Sequence, residues 1–90
     1  MAAIHSFTLP ASWELYNRLP AQVRMLADKQ FRLFREHPFH ASLGFARKGE
    51  VWTVETGRGY RAIGRRKGDE IYWFWIGSHE AYNHLLNRWR

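Results

Sequence analysis

Val51 to Ser78 reads VWTVETGRGYRAIGRRKGDEIYWFWIGS, and its punctuation decides the fold. Two glycine-bearing clusters, GRG at 57–59 and KGD at 67–69, cut it into three runs. VWTVET and YRAIGRR carry β-branched and aromatic residues, which suit a half-buried pleated strand. EIYWFWI does not alternate, since Ile71 to Ile76 are apolar or aromatic without a break. This strand is therefore expected to be covered on both faces and to lie inside its sheet. Such short turns join antiparallel neighbours, so the three strands form a meander. Trp73 and Trp75 are expected on one face of the last strand, as part of the core. Gly77 is expected to break that strand. Ser78 then caps a helix holding Ala81, Tyr82, Leu85, Leu86 and Trp89, with Glu80 in the favourable first turn.

Upstream, IHSFTL at 4–9 reads as a short strand at a sheet edge, ended by Pro10. Ser12 can cap a first short helix containing Trp13, Leu15 and Tyr16, which Leu19-Pro20 interrupts. Pro20 suits the first turn of a second helix, where its missing N–H does no harm. That helix runs from Pro20 to Glu36. Val23, Leu26, Ala27, Phe31 and Phe34 make its apolar stripe, and His37-Pro38 stops it. FHASLGFARKGE at 39–50 reads as a loop. The expected class is α+β in the order β-α-α-β-β-β-α. A small antiparallel β-sheet carries an N-terminal helical hairpin and a C-terminal helix, with the helices packed on a face of the sheet.

The 90 residues amount to one domain, 1–90, with 46% hydrophobic residues and 17% aromatic ones to build a core. Cysteine is absent, which excludes disulfides and thiolate zinc sites and fits a reducing cytoplasm. The N-terminus lacks the pattern of a signal peptide, and the longest apolar run is far too short for a membrane span. The net charge of +6 favours a polyanion or an acidic protein partner. It is concentrated: between Arg47 and Lys67, Arg47, Lys48, Arg58, Arg61, Arg65, Arg66 and Lys67 stand against only Glu50 and Glu55. His37 and His40 form an H-x-x-H pair, but Pro38 between them opposes helical ligand geometry and no third ligand is near. No metal, cofactor or small-molecule substrate is expected, and no phosphate-cradling glycine loop is present.

Four stretches together resemble the RelE/ParE superfamily of bacterial type II toxin–antitoxin toxins. LPAQVRMLADKQFRLFREHP is similar to the family's Leu-Pro helix. HASL is similar to the loop after it. VWTVETGRGYRAIG is similar to the central strand pair with its Tyr-Arg. WFWIGSHEAYNHLL is similar to the closing strand and helix of a subgroup with Gly-Ser-His at the junction. The resemblance implies a small sheet with helices on one side. It implies a toxin that inhibits translation by cutting ribosome-bound mRNA without a metal, or one that acts on DNA gyrase. It also implies a cognate antitoxin that wraps the toxin. A third reading is a non-catalytic basic binding module that kept the fold.

Metal-free RNA cleavage needs a base for the 2′-OH proton, cations for the charge on phosphorus, and an acid for the leaving 5′ oxygen. By the resemblance, Arg61 stands where the family carries a phosphate-binding arginine. His79 stands where it carries Arg or His, as general acid or phosphate contact. Tyr82 either stacks on a base or orients His79. Arg47, Lys48, Arg58, Arg65, Arg66 and Lys67 are candidates for the RNA backbone. Trp52 to Glu55 depart from the pattern, because RNA-cleaving relatives show basic residues there. Glu55 is a possible general base, ranked lower because alternation puts it opposite Trp52 and Val54. The resemblance also implies that Arg61 and His79 lie on neighbouring antiparallel strands or their ends, close enough to share one phosphate.

Overall fold

The computed structural model describes residues 4–87; Trp89 lies outside them. β1 (His5–Thr8) leads into α1 (Pro10–Asn17) and α2 (Ala21–Glu36). A short 3-10 turn (Ala41–Leu43) follows, then β2 (Ala46–Lys48), β3 (Val51–Gly57), β4 (Tyr60–Lys67), β5 (Glu70–Ser78) and α3 (His79–Leu86). The strands form one five-stranded sheet in the order β1-β5-β4-β3-β2.

The meander of β3, β4 and β5 is antiparallel and β1 lies at an edge, as read from the sequence. The sheet as a whole is mixed, not antiparallel, because β1 pairs with β5 in parallel. Local turn chemistry specifies hairpins, but a pairing across most of the chain depends on where the two helices deliver the strand. The stretch expected as a loop contains a further strand, β2, which pairs antiparallel with β3. Its three residues are too few for a period to be read.

Pro10 does more than end β1. It occupies the first turn of α1, with Leu9 at the N-cap, where the absent N–H is harmless. Ser12, expected as the cap, sits inside the helix and is buried. In α2 the stripe holds for Ala27 and Phe34, both fully buried, with Val23 and Phe31 packed against the same core. Leu26 departs from it and is 45% exposed. The Tyr16 hydroxyl donates to Asp28 Oδ1 at 2.7 Å and ties α1 to α2. That hydrogen bond, with lesser burial and the Asp28 charge, raises the tyrosine above its ordinary value.

Two cores flank the sheet. Val54, Ala62, Ile71, Trp73 and Ile76 face Ala27 and Phe34 of α2. Val51 and Ile63 face Tyr82 and Leu86 of α3, with Phe74 and Trp75 packed against them. The helices therefore lie on both sides of the sheet, not on one. A two-layer arrangement would leave the second apolar face of β5 in water.

A β-bulge makes this double coverage possible. Ile63 pairs with Trp75, but Gly64 pairs with Trp73, so Phe74 is an extra residue in β5. The insertion reverses the alternation. Trp73 consequently joins the α2 core and Trp75 the α3 core, and the two do not share a face. Gly77 does not break β5: it pairs with Arg61, and the strand continues to Ser78. Ser78 caps α3 as expected, its Oγ accepting from Ala81 N at 3.2 Å.

Gly64 is the close-approach point of the bulge. A Cβ there would lie 2.8 Å from Trp73 Cε3 and 3.0 Å from the Tyr72 carbonyl oxygen. Gly64→Ala is expected to destabilise by about 1–3 kcal/mol through overpacking, read as a lower urea midpoint at an unchanged slope. Thr53 and Thr56 have buried hydroxyls without a hydrogen-bond partner. Thr53→Val removes one such group while nearly preserving shape, so the midpoint is expected to hold or rise. A fall would mean that the hydroxyl is satisfied in solution.

Candidate active site

The α3 face of the sheet carries a shallow pocket of about 280 Å³ lined by Gly44, Ala46, Lys48, Arg61, His79, Tyr82, Asn83 and Leu86. Its floor is built by the junction of β5 with α3. Tyr60 pairs with Ser78 and Arg61 with Gly77, which sets Arg61 beside the start of the helix. His79 N donates to Gly59 O at 2.7 Å, fastening that start to the β3–β4 turn. Tyr82 follows one turn later on the same helix face.

Tyr82 organises the site. It is 3% exposed and belongs to the α3 core. The Arg61 guanidinium carbon lies 5.2 Å from its ring centroid. The His79 ring stacks on it at 5.6 Å with an interplanar angle of 21°. Tyr82 is thus buried, with the Arg61 and His79 side chains both laid against its ring. His79 itself is exposed.

Arg61 Nη2 donates to Glu55 Oε1 at 3.0 Å, and the two side chains are 21% and 49% exposed. A pair this exposed contributes little to stability, but it aims the guanidinium. Glu55 does lie opposite Trp52 and Val54, as alternation requires. That face is the one carrying Arg61, so the ground for ranking Glu55 low disappears. Its strand is further anchored by Gln30 Nε2, which donates to the Glu55 carbonyl at 3.0 Å.

Lys48 reaches the pocket from β2, the strand not foreseen in the sequence. It pairs with Val51 and shares its face. The basic residue absent from β3 thus has a counterpart on the neighbouring strand. Asn83 and Gly44 were also missed. Asn83 is one residue past Tyr82 on a helix whose start was already read. Gly44 takes a left-handed conformation, φ 53°, at the end of the 3-10 turn, which suits glycine. That turn opens with His40, whose Nδ1 accepts from Ser42 N at 3.1 Å.

The other basic candidates go elsewhere. Arg58 lines a separate concavity of about 440 Å³ with Gln30, Glu55, Gly57 and Gly59. Arg65 lies over Phe74 at 5.6 Å, and Lys67 ends β4 opposite Glu70. Arg66 sits over Trp52 at 4.8 Å, and Arg47 is the cross-strand partner of that tryptophan; both belong to the other sheet face. Among the described residues, no three His, Asp or Glu side chains gather to hold a metal ion. No helix among them is long and apolar enough to cross a membrane.

Comparison with known proteins agrees with this architecture. The structure is similar to that of the isolated E. coli RelE toxin, with a TM-score of 0.62 at 16% identity, covering 96% of this chain and 98% of that one. It is similar to the toxin of the RelB-RelE antitoxin-toxin complex from Methanococcus jannaschii, with a TM-score of 0.68 at 10% identity over 88% and 96% of the two chains. For a YoeB/ParE toxin from Agrobacterium tumefaciens the values are 0.62 and 18%, over 84% and 99%. No curated protein matches the sequence. The family model of the ParE-like toxin domain matches residues 21–84, a span from the start of α2 through the strands into α3 that includes the Glu55, Arg61, His79 and Tyr82 constellation. The chain belongs to the ParE-like toxin domain family and is a toxin of a toxin–antitoxin system.

Proposed function

We propose that this toxin is a metal-independent endoribonuclease that cuts mRNA on the ribosome and so inhibits translation, held in check by a cognate antitoxin. The observation that carries the reading is the convergence of Lys48, Arg61 and His79 on one pocket, with Arg61 and His79 both resting on Tyr82. Two cations for the charge on phosphorus and an imidazole for proton transfer suit phosphodiester cleavage without a metal, with a base still needed for the 2′-OH proton.

The chemistry assigns roles as follows. The 2′-oxygen attacks phosphorus, and the bond from phosphorus to the 5′ oxygen breaks. This leaves a 2′,3′-cyclic phosphate and a free 5′-OH. Arg61 and Lys48 neutralise the charge that accumulates on the phosphoryl oxygens. His79, exposed at the rim, gives a proton to the leaving 5′ oxygen. Glu55 aims the guanidinium and is the carboxylate available to accept the 2′-OH proton. Tyr82 keeps Arg61 and His79 at fixed separation. The charge of +6 favours approach to ribosome-bound RNA.

The second reading is a gyrase-directed toxin without nuclease chemistry. The run Trp52 to Glu55, which lacks a basic residue, favours it.

Inducing the toxin in bacteria and mapping the 5′ ends of ribosome-associated mRNA separates the two. The nuclease reading expects new in-frame ends and growth arrest. In a single-turnover assay on ribosome-bound mRNA, Arg61→Ala is expected to cost about 10²–10³-fold and His79→Ala about 10²–10⁴-fold. Lys48→Ala is expected to cost about 10–100-fold. Arrest with impaired DNA supercoiling and no new ends would transfer the assignment to gyrase, and harmless overexpression would leave a binding module.

A further inference from the structure

Arg47 and Arg66 form a second cationic feature, on the sheet face away from Arg61. Trp52 stands between them: Arg47 is its cross-strand neighbour, and the Arg66 guanidinium lies 4.8 Å from its ring centroid. Both arginines are held in the same way. Arg47 Nε donates to Gly49 O at 2.9 Å and Arg66 Nε to Gly68 O at 2.9 Å. Gly49 and Gly68 belong to the β2–β3 and β4–β5 turns, which lie at one end of the sheet. Each side chain is thus fixed by its inner nitrogen. Among the described residues, neither outer fork is engaged by a carboxylate. Glu50 is the acidic residue of the β2–β3 turn and Asp69 that of the β4–β5 turn, and Lys67 beside Arg66 is cross-strand from Glu70.

The aromatic surface extends from Trp52. Phe45 lies 4.7 Å from the Trp52 ring centroid and Phe39 lies 5.5 Å from that of Phe45. Phe39 is 66% exposed, so its ring is open to solvent beside Phe45. Lys48 follows Arg47 on β2 and points to the opposite face, into the catalytic pocket. The edge strand β2 therefore presents a cation to each side.

We infer that Arg47, Trp52, Arg66 and Phe39 are a docking surface for single-stranded RNA, continuous over the β2 edge with the pocket at Lys48. The inference rests on the nuclease reading and adds a binding site for nucleotides flanking the cleaved phosphate. Pre-positioned guanidinium forks take phosphates, while a guanidinium stacked on indole and an exposed phenyl ring offer planes to unstacked bases. An acidic peptide would satisfy the forks but would have no use for the planes.

The test is fluorescence anisotropy with a short fluorescein-labelled oligouridine carrying 2′-O-methyl groups, which the enzyme cannot cleave, over a series of salt concentrations. The Arg47→Ala/Arg66→Ala variant is expected to bind about tenfold more weakly or worse. Its salt slope should shrink by roughly 0.7 for each phosphate that the variant no longer neutralises. Arg66→Lys keeps the slope but loses affinity, because the charge remains and the stacking plane is gone. Arg32→Ala/Arg35→Ala, an equal loss of charge on α2, stays within about twofold of wild type. Circular dichroism melts establish that each variant is folded. Equal weakening by the α2 variant, or none by Arg47→Ala/Arg66→Ala, overturns the inference. So does a patch variant that holds RNA normally but loses an acidic antitoxin peptide, which would make the surface the protein partner's. A wild type that cuts mRNA in cells yet shows no patch-dependent RNA binding removes the docking surface and leaves the nuclease reading standing.

Discussion

The extra residue at Phe74 is the constraint on which the rest of this structure depends. A strand of uninterrupted alternation would send Trp73 and Trp75 to the same face and starve one core of its aromatic content. With the bulge, Ile71, Trp73 and Ile76 serve the α1–α2 side, while Phe74 and Trp75 serve α3. The bulge also sets the register beyond it, where Arg61 pairs with Gly77. A one-residue slip at this point would turn every following side chain to the wrong face. Arg61 on β4 would keep its face, but Ile76 would leave the α2 core and the junction that carries His79 would be misplaced beside it. Gly64 permits the arrangement because Trp73 packs against its bare Cα.

The site is assembled where a strand becomes a helix. Ser78 is both the last residue of β5 and the N-cap of α3. His79 therefore emerges with its backbone tied to the β3–β4 turn and its ring laid on Tyr82. Tyr82 belongs to the core and to the site at once. A buried ring moves little, so the Arg61 and His79 side chains laid on it inherit the rigidity of the core. The Glu55 pairing then orients the guanidinium in a partly exposed setting where it adds little stability.

Positive charge is distributed over the chain by strand geometry. Consecutive residues Arg47 and Lys48 of a short edge strand face opposite sides of the sheet. Arg61 and Arg65 lie on the α3 face, over Tyr82 and Phe74, and Arg66 on the other, over Trp52. Three of the arginines thus rest on aromatic rings, and the exposed ends of the sheet are clothed in cations. Such a charged, short edge strand also discourages pairing with a further chain.

The sequence by itself determined the meander, the helix from about 20 to 36 and the cap at Ser78. Each rests on neighbours in the chain: turn glycines, a helical stripe, a serine before an apolar helix. Only the tertiary structure decided the parallel pairing of β1, the existence of β2, the placing of α3 on the second face and the parity reversal in β5. Lys48 entered the pocket, and Glu55 returned to consideration, for the same cause. Those outcomes depend on which surfaces meet across the sheet. A bulge in a run that is apolar throughout leaves no trace in its pattern of polar and apolar residues, because either face of β5 is equally content to be buried.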